Sequence, residues 1–243
     1  FRAGAVTVMD PQTGHYAAEL PIAPELLDAP QLLIGVENAV AGFNSNIATI
    51  DDAFPRIEKG GSILLGAGSD SLRVGSLQLA GSSLSPSGRE TGYTMTVAQS
   101  SGDGTVPDGD HDFERALIRV QSRRAKSRTD VAIAYQDSFF GWPGAYTGFA
   151  SLPETDDTQT TLVFFNQRRE GSRGWFEYGA YYRSLEDDYD FNRLDFETGE
   201  PGSFEHETKV SAVGFQGLQR TGKVAWRFGG QFSKDELVRS TDL

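Results

Sequence analysis

Apolar and polar positions alternate along residues 171–183. Every second residue is aromatic or small and apolar: Phe176, Tyr178, Ala180 and Tyr182. The residues between them are mostly polar or small: Glu177, Gly179, Tyr181 and Arg183. Side chains of a β-strand point to opposite faces with a period of two, whereas a helix would spread both sets around its circumference. The pattern therefore predicts a strand with one aromatic face and one polar face.

Extended segments of this kind follow one another from residue 57 onward. They cover residues 57–67, 70–82, 89–100, 113–123, 128–139, 158–168, 173–186, 204–218 and 223–236. Tight connections at 124–127, 170–172 and 220–222 alternate with long ones at 101–112, 140–157 and 187–203. Strands of soluble sandwiches usually run only about 5–6 residues. Longer strands, with turns at one end, loops at the other and aromatic residues near their ends, are typical of outer-membrane barrels.

These features predict a mainly β protein that forms part of a transmembrane antiparallel β-barrel. A closed bacterial barrel has an even number of strands, so about nine strands indicate a piece of a larger barrel. Residues 1–55 differ in character, because short apolar runs at 5–9, 32–34 and 46–50 alternate with helical turns near 24–28 and 38–42. We expect residues 1–55 to form a small α+β unit and residues 56–243 to form barrel wall.

Composition and the absence of motifs exclude several classes of function. Only 38% of the 243 residues are hydrophobic, and no apolar run approaches the roughly 20 residues of a membrane-spanning helix. The net charge of −12 argues against nucleic acid as a partner and favours cationic ligands or divalent ions. The absence of cysteine excludes disulfides and thiol chemistry. No Gly-x-Ser-x-Gly, His-Glu-x-x-His or phosphate-binding glycine motif is present, so we expect no enzyme.

Residues 4–15, followed by Leu20-Pro21-Ile22, contain the distinctive turn Asp10-Pro11-Gln12-Thr13-Gly14-His15. This segment resembles the second half of the plug domain of TonB-dependent outer-membrane receptors, and most closely the vitamin B12-receptor-like members. Residues 38–42, 46–49 and 135–141 are similar to the later plug and an early barrel strand. The family's Arg-Gly-Pro is replaced here by Gly35-Val36-Glu37.

The resemblance implies a receptor in the bacterial outer membrane that takes up a scarce small-molecule ligand, such as a corrinoid or a metal–siderophore chelate. It also implies outer-membrane lipid and a TonB-type inner-membrane energy-coupling protein as partners. Residues 1–55 would be the C-terminal half of the plug, and residues 56–243 the N-terminal part of the barrel. No chemistry on the ligand is expected.

Candidate ligand-binding residues lie in the plug turn and in the loop after residue 140. They are Asp10, Gln12, Thr13, His15, Trp142 and Tyr146. The loop 101–112 carries the acidic residues Asp103, Asp108, Asp110 and Asp112 among glycines, and such oxygen-rich loops suit calcium. The resemblance places it where an acidic loop of B12-receptor-like proteins binds calcium, although a solvated loop is the alternative. A second acidic group, Glu186, Asp187, Asp188 and Asp190, is expected to be solvated.

Two other classes of protein fit parts of the pattern. A passive porin or a structural outer-membrane barrel would share the strands but would have no plug inside the wall. A soluble all-β binding module would bury its aromatic residues in one common core. The residues that decide between barrel and module are Phe176, Tyr178, Tyr182, Trp226 and Phe228.

Overall fold

The structure is a computed structural model that describes residues 2–9, 20–41, 45, 47–148, 152–194 and 203–241, without the side chain of Ser203. It contains one large antiparallel sheet and one small mixed sheet. No helix among these residues has the length and apolar composition needed to cross a membrane.

The large sheet has nine strands, which hydrogen-bond in the order in which they occur in the sequence. They are β5 (Gly60–Ala67), β6 (Arg73–Leu84), β7 (Glu90–Gly102), β8 (His111–Arg124), β9 (Ser127–Gly141), β10 (Thr155–Gly171), β11 (Gly174–Asp190), β12 (Ser203–Thr221) and β13 (Val224–Thr241). All nine predicted strands are therefore confirmed. The later strands run a few residues beyond the predicted ends, because hydrogen-bonded pairing continues past the last alternating apolar residue.

Connections at the two ends of the large sheet differ in length. Two-residue hairpins join β8 to β9, β10 to β11 and β12 to β13 at one end, which we call the turn end. Gly222 has a φ of +60° in the last of these hairpins, as the tightest hairpin turns require. The described residues of the connections 103–110, 142–154 and 191–202 lie at the opposite end, which we call the loop end.

The two faces of the large sheet meet different surroundings. Ala132, Ala134, Leu162 and Phe164 are buried on the face that packs against the small unit, which we call the covered face. The opposite face, here the open face, carries the predicted aromatic side of the strands. Phe176, Tyr178, Tyr182, Trp226 and Phe228 are between 37% and 63% exposed there. These rings do not share a sealed core, whereas a soluble all-β module would bury them in one.

The small unit comprises residues 2–54. It contains β1 (Arg2–Ala3), β2 (Val6–Thr7), a 3-10 turn (Pro24–Leu26), β3 (Gln31–Ile34), α1 (Gly35–Ala41) and β4 (Ala48–Asp52). Its sheet has the order β2-β1-β4-β3, in which only the β1–β4 pair is parallel. The predicted runs at 5–9, 32–34 and 46–50 correspond to β2, β3 and β4, and the helical turns near 24–28 and 38–42 correspond to the 3-10 turn and α1, with ends that differ by up to three residues. β1 lies outside the predicted runs.

A single hydrophobic core joins the small unit to the covered face. Val6, Val8 and Leu26 of the small unit belong to the same buried cluster as Leu162 and Phe164 of β10. Phe164 meets Phe54 edge to face, with ring centroids 5.5 Å apart. This packing explains why β10 is apolar on both faces, since its covered face contacts protein while its open face is exposed. The small unit therefore depends on the wall for much of its core.

Candidate functional site

Side-chain amides of the wall hold the hairpin of β1 and β2 against the covered face. The amide of Gln231 accepts from the backbone N–H of Thr7 at 2.7 Å and donates to the Thr7 carbonyl at 2.9 Å. It therefore pairs with Thr7 as a neighbouring strand would. Asn166 Oδ1 accepts from the N–H of Ala5 at 3.0 Å, and Gln216 donates to the carbonyl of Gly4 at 3.2 Å. These bonds satisfy backbone groups that the short hairpin leaves unpaired.

A buried carboxylate orients two of these amides. Glu177 accepts from Asn166 Nδ2 at 2.8 Å and from Gln216 Nε2 at 2.7 Å, and Arg168 Nη1 lies 3.7 Å from the carboxylate oxygen that Gln216 contacts. Because the carboxylate can only accept, it fixes which end of each amide faces the hairpin. Glu177 thus sets the direction of the hydrogen bonds that reach the small unit.

Glycines let the hairpin approach the wall closely. A Cβ atom added at Gly214 would overlap the carbonyl oxygen of Ala5, and one added at Gly179 would meet the carbonyl oxygen of Phe165 and the side chain of Asn166. Gly179 and Gly214 are register partners on β11 and β12. The covered face therefore contains a slot whose depth requires the absence of side chains.

The segment that leads from the small unit into β5 has a separate anchor. Arg119 donates to the carbonyl of Pro55 at 2.5 Å and pairs with Asp130 at 2.8 Å, while its guanidinium lies over the ring of Phe54. Gln121 bonds both Asp130 and the N–H of Ile57. Arg119 and Asp130 are both buried, and a buried charge of this kind must keep its partner.

At the loop end, Glu154 organises the connection between β9 and β10. Its fully buried carboxylate accepts from the N–H groups of Tyr146 and Thr147 at 2.9 and 2.7 Å, from Thr147 Oγ1 at 2.5 Å and from the Tyr189 hydroxyl at 2.7 Å. Burial opposes ionisation of Glu154, but the hydrogen bonds from Thr147, Tyr189 and the backbone outweigh it and lower the pKa. An ionised carboxylate thus holds the described part of this loop to β11.

Arg193 ties two other loops together. Its guanidinium donates to Asp110 at 2.7 Å and to Asp108 at 2.8 Å, so it spans the connections 191–202 and 103–110. The hydrogen bonds that Arg193 donates to both carboxylates raise the pKa of its guanidinium. Asp108 and Asp110 are predicted calcium ligands, but in the structure a cationic side chain contacts both of them.

Three of the four aspartates of that loop, Asp103, Asp110 and Asp112, line one open cleft of about 670 Å³ at the loop end. Asp103 also accepts from Ser71 Oγ at 2.6 Å. Within the described parts of the chain, however, no three Asp, Glu or His side chains are placed to hold a metal ion. Calcium binding by this loop therefore stays a prediction.

The remaining sequence-predicted residues divide into two groups. Tyr146 is 55% exposed and meets Tyr189 edge to face at 5.4 Å, and Trp142 lies 6.3 Å from Phe140. Both therefore present aromatic surface near the loop end. Asp10, Gln12, Thr13 and His15 lie outside the described residues.

Sequence reasoning missed the most buried polar residues at the loop end. Glu154 is a single carboxylate with no motif around it, and its partners come from two separate segments, the loop before it and β11. Asp187 and Asp190, which we expected to be solvated, are both buried. Because β11 continues to residue 190, alternation places Asp187 on the covered face. Asp190 has the opposite parity, and its carboxylate accepts from the N–H of Asn192 at 2.9 Å at the end of the strand.

No family model matches the chain, and no curated protein matches its sequence. Solved structures do share its fold. The ferric-catecholate import receptor Fiu from E. coli K12 superposes with a TM-score of 0.62 at 12% identity, covering 84% of this chain and 38% of that one. The ferripyoverdine receptor of the outer membrane of Pseudomonas aeruginosa gives 0.62 at 13% identity, with coverage of 86% and 32%. The siderophore receptor PiuA from Acinetobacter baumannii gives 0.57 at 15% identity, with coverage of 84% and 34%.

The chain thus spans about a third of the length of these receptors. Its fold is that of part of an outer-membrane receptor, a stretch of antiparallel barrel wall with a small α+β unit against one face. More narrowly, it is the fold of the TonB-dependent receptors, and the predicted fold class is confirmed.

Proposed function

We propose that the protein is a TonB-dependent receptor that imports a metal–siderophore chelate across the bacterial outer membrane. One observation carries the proposal: a folded small unit is hydrogen-bonded into the covered face of a wall whose open face is apolar. The receptors with the same fold are described as import or siderophore receptors. Residues 1–55 are the C-terminal half of the plug in this proposal, and residues 56–243 are the first strands of the barrel.

The seam between the two parts suits a plug that must rearrange. Most of its hydrogen bonds join neutral amides to backbone groups, as with Gln231 and Thr7, and such bonds exchange for water at small net cost. The Arg119–Asp130 pair anchors only the segment that enters the wall. We propose that the hairpin of β1 and β2 can leave the wall while residues 54–57 stay attached.

Ligand contact is proposed at the loop end, where Trp142 and Tyr146 present aromatic surface and Asp10, Gln12, Thr13 and His15 of the plug turn would approach from below. The mechanism needs binding and plug movement, driven by a TonB-type inner-membrane partner, and no reaction on the ligand. A corrinoid stays a prediction of the sequence resemblance, because the three compared receptors are named for iron chelates or siderophores.

A transport assay in cells that express the full-length protein tests this function. We expect uptake of at least one of three labelled probes, a ferric catecholate, a ferric hydroxamate or cyanocobalamin, and we expect an uncoupler of the inner-membrane proton gradient to abolish it. A variant that lacks residues 2–52 should admit small hydrophilic solutes without energy. Energy-independent passage through the intact protein would instead establish the passive porin.

A further inference from the structure

The turn end of the wall carries an unusual excess of cations. This end has four turns, the three hairpins and the connection between β6 and β7. Each contributes exposed basic side chains: Arg89, Arg124, Lys126, Arg169, Arg173, Arg220 and Lys223. No ion pair joins any of these seven to an acidic side chain of the described chain. The carboxylates at this end have other partners, since Glu90 pairs with Arg56, and Glu170 and Glu177 pair with Arg168. Asp130 pairs with Arg119 and Arg128, and Glu58 adjoins Lys59 in the sequence.

The loop end carries acidic side chains instead. One cross-strand row at the loop end places Asp112, Asp157, Asp188 and Glu205 beside one another, interrupted only by Phe139. The chain has a net charge of −12, so the cations at the turn end do not follow from composition. They are concentrated at one edge of an otherwise acidic surface.

An aromatic cluster borders these cations on the open face. The rings of Phe176 and Phe228 stack at 6.4 Å, and Tyr178 joins them at 6.1 Å from Phe176. Arg169 is the register partner of Phe176, so its side chain leaves the sheet beside that ring. Aromatic rings next to cations mark the level of lipid head groups in membrane proteins, and cations there attract anionic lipids.

We propose that the turn end binds the head groups of anionic phospholipids. The inference rests on the proposed outer-membrane location, in which short turns face the periplasm and the adjoining leaflet is phospholipid. The phosphates would neutralise the seven free cations while the aromatic cluster contacts the upper acyl chains. The cations adjoin an apolar face, and a lipid surface would contact both. An acidic protein would account for the cations but not for the adjoining exposed rings.

The experiment measures lipid selectivity of the full-length protein in mixed bilayers. Spin-labelled phosphatidylglycerol and phosphatidylcholine are compared by the fraction of each that the protein immobilises. We expect phosphatidylglycerol to associate about threefold more strongly at low salt and the preference to disappear at about 1 M salt. A turn variant, Arg124→Gln, Lys126→Gln, Arg173→Gln and Lys223→Gln, should reduce the ratio to about one.

A control variant removes the same number of positive charges from the half of the wall nearer the loop end, through Arg73→Gln, Lys209→Gln, Lys234→Gln and Arg239→Gln. It should retain the preference of the wild type. Equal association of the two lipids with the wild type, or an unchanged preference in the turn variant, would overturn the proposal and leave the transporter intact. The same lack of lipid preference is expected if the turn end binds an acidic protein instead. If the protein immobilises no lipid at all, the outer-membrane function itself fails, and this inference fails with it.

Discussion

Single buried carboxylates fix the geometry of this protein at two places. Glu177 directs the amides that hold the small unit, and Glu154 holds the loop after β9. Neither could be assigned a role from the sequence, because Glu177 only marked the polar side of a strand and Glu154 lay within a predicted loop. Their partners lie as much as 39 residues away, and a local pattern carries no information about contacts at that distance.

Glu154 should make the loop at residues 142–154 sensitive to acid. Its pKa in the folded protein lies below the ordinary value of 4.5, so its stabilising effect is complete above that value and is lost as the pH falls below it. We expect hydrogen exchange at the amides of Tyr146 and Thr147, corrected for intrinsic rates, to accelerate as the pH drops through this range.

Substitution Glu154→Gln should remove that dependence and speed exchange of the two amides at neutral pH by about tenfold, since hydrogen bonds to a charged acceptor are replaced by neutral ones. Asp157→Asn provides the control, because Asp157 is an exposed carboxylate in the neighbouring strand. Equal protection of the amides in wild type and Glu154→Gln would show that the carboxylate does not hold the loop.

Among the elements, the strands of the wall were predictable and the docking of the small unit was not. Period-two alternation was clear in the segments 128–139, 173–186 and 223–236, and the other strands followed from the length and spacing of the extended segments. Residues 162–165 are apolar on both faces of their strand, but only the structure shows that the small unit covers Leu162 and Phe164. Docking depends on the fit between two distant surfaces, above all on the glycine slot of β11 and β12.

Filling that slot should release the hairpin of β1 and β2. In Gly214→Ala the new methyl group would overlap the carbonyl of Ala5, and we expect a cost of about 1–3 kcal/mol for docking of the hairpin. Hydrogen exchange should show faster exchange at the amides of Ala5 and Thr7, while the amides of β9 and β10 keep their protection.

Gly75→Ala is the matched control, since it adds a methyl group within another strand of the same sheet. The atoms nearest to that methyl group lie 3.7 and 3.8 Å away, in Leu65 and Gln99. This control should leave the amides of Ala5 and Thr7 unchanged. If the two variants behave alike, the close approach at Gly214 contributes nothing to docking.

At the scale of the whole molecule, the two faces of the wall require different surroundings. The covered face combines buried charges with amides and contacts the small unit, whereas the open face exposes rings and branched aliphatic side chains. Exposed apolar surface of this extent is costly in water and indicates contact with lipid or protein. The charges at the two ends of the sheet then fall at the two edges of the apolar face, where a membrane has its head groups.

A nitroxide scan of residues 131–135 in the full-length protein tests this account most directly, and the chain itself contains no cysteine to interfere. In lipid bilayers, labels at Val131, Ile133 and Tyr135 should be accessible to oxygen dissolved in the membrane and shielded from a water-soluble nickel chelate. Labels at Ala132 and Ala134 should be shielded from both reagents. Access of the nickel chelate to the three odd-numbered positions, or the absence of any alternation, would contradict the membrane barrel.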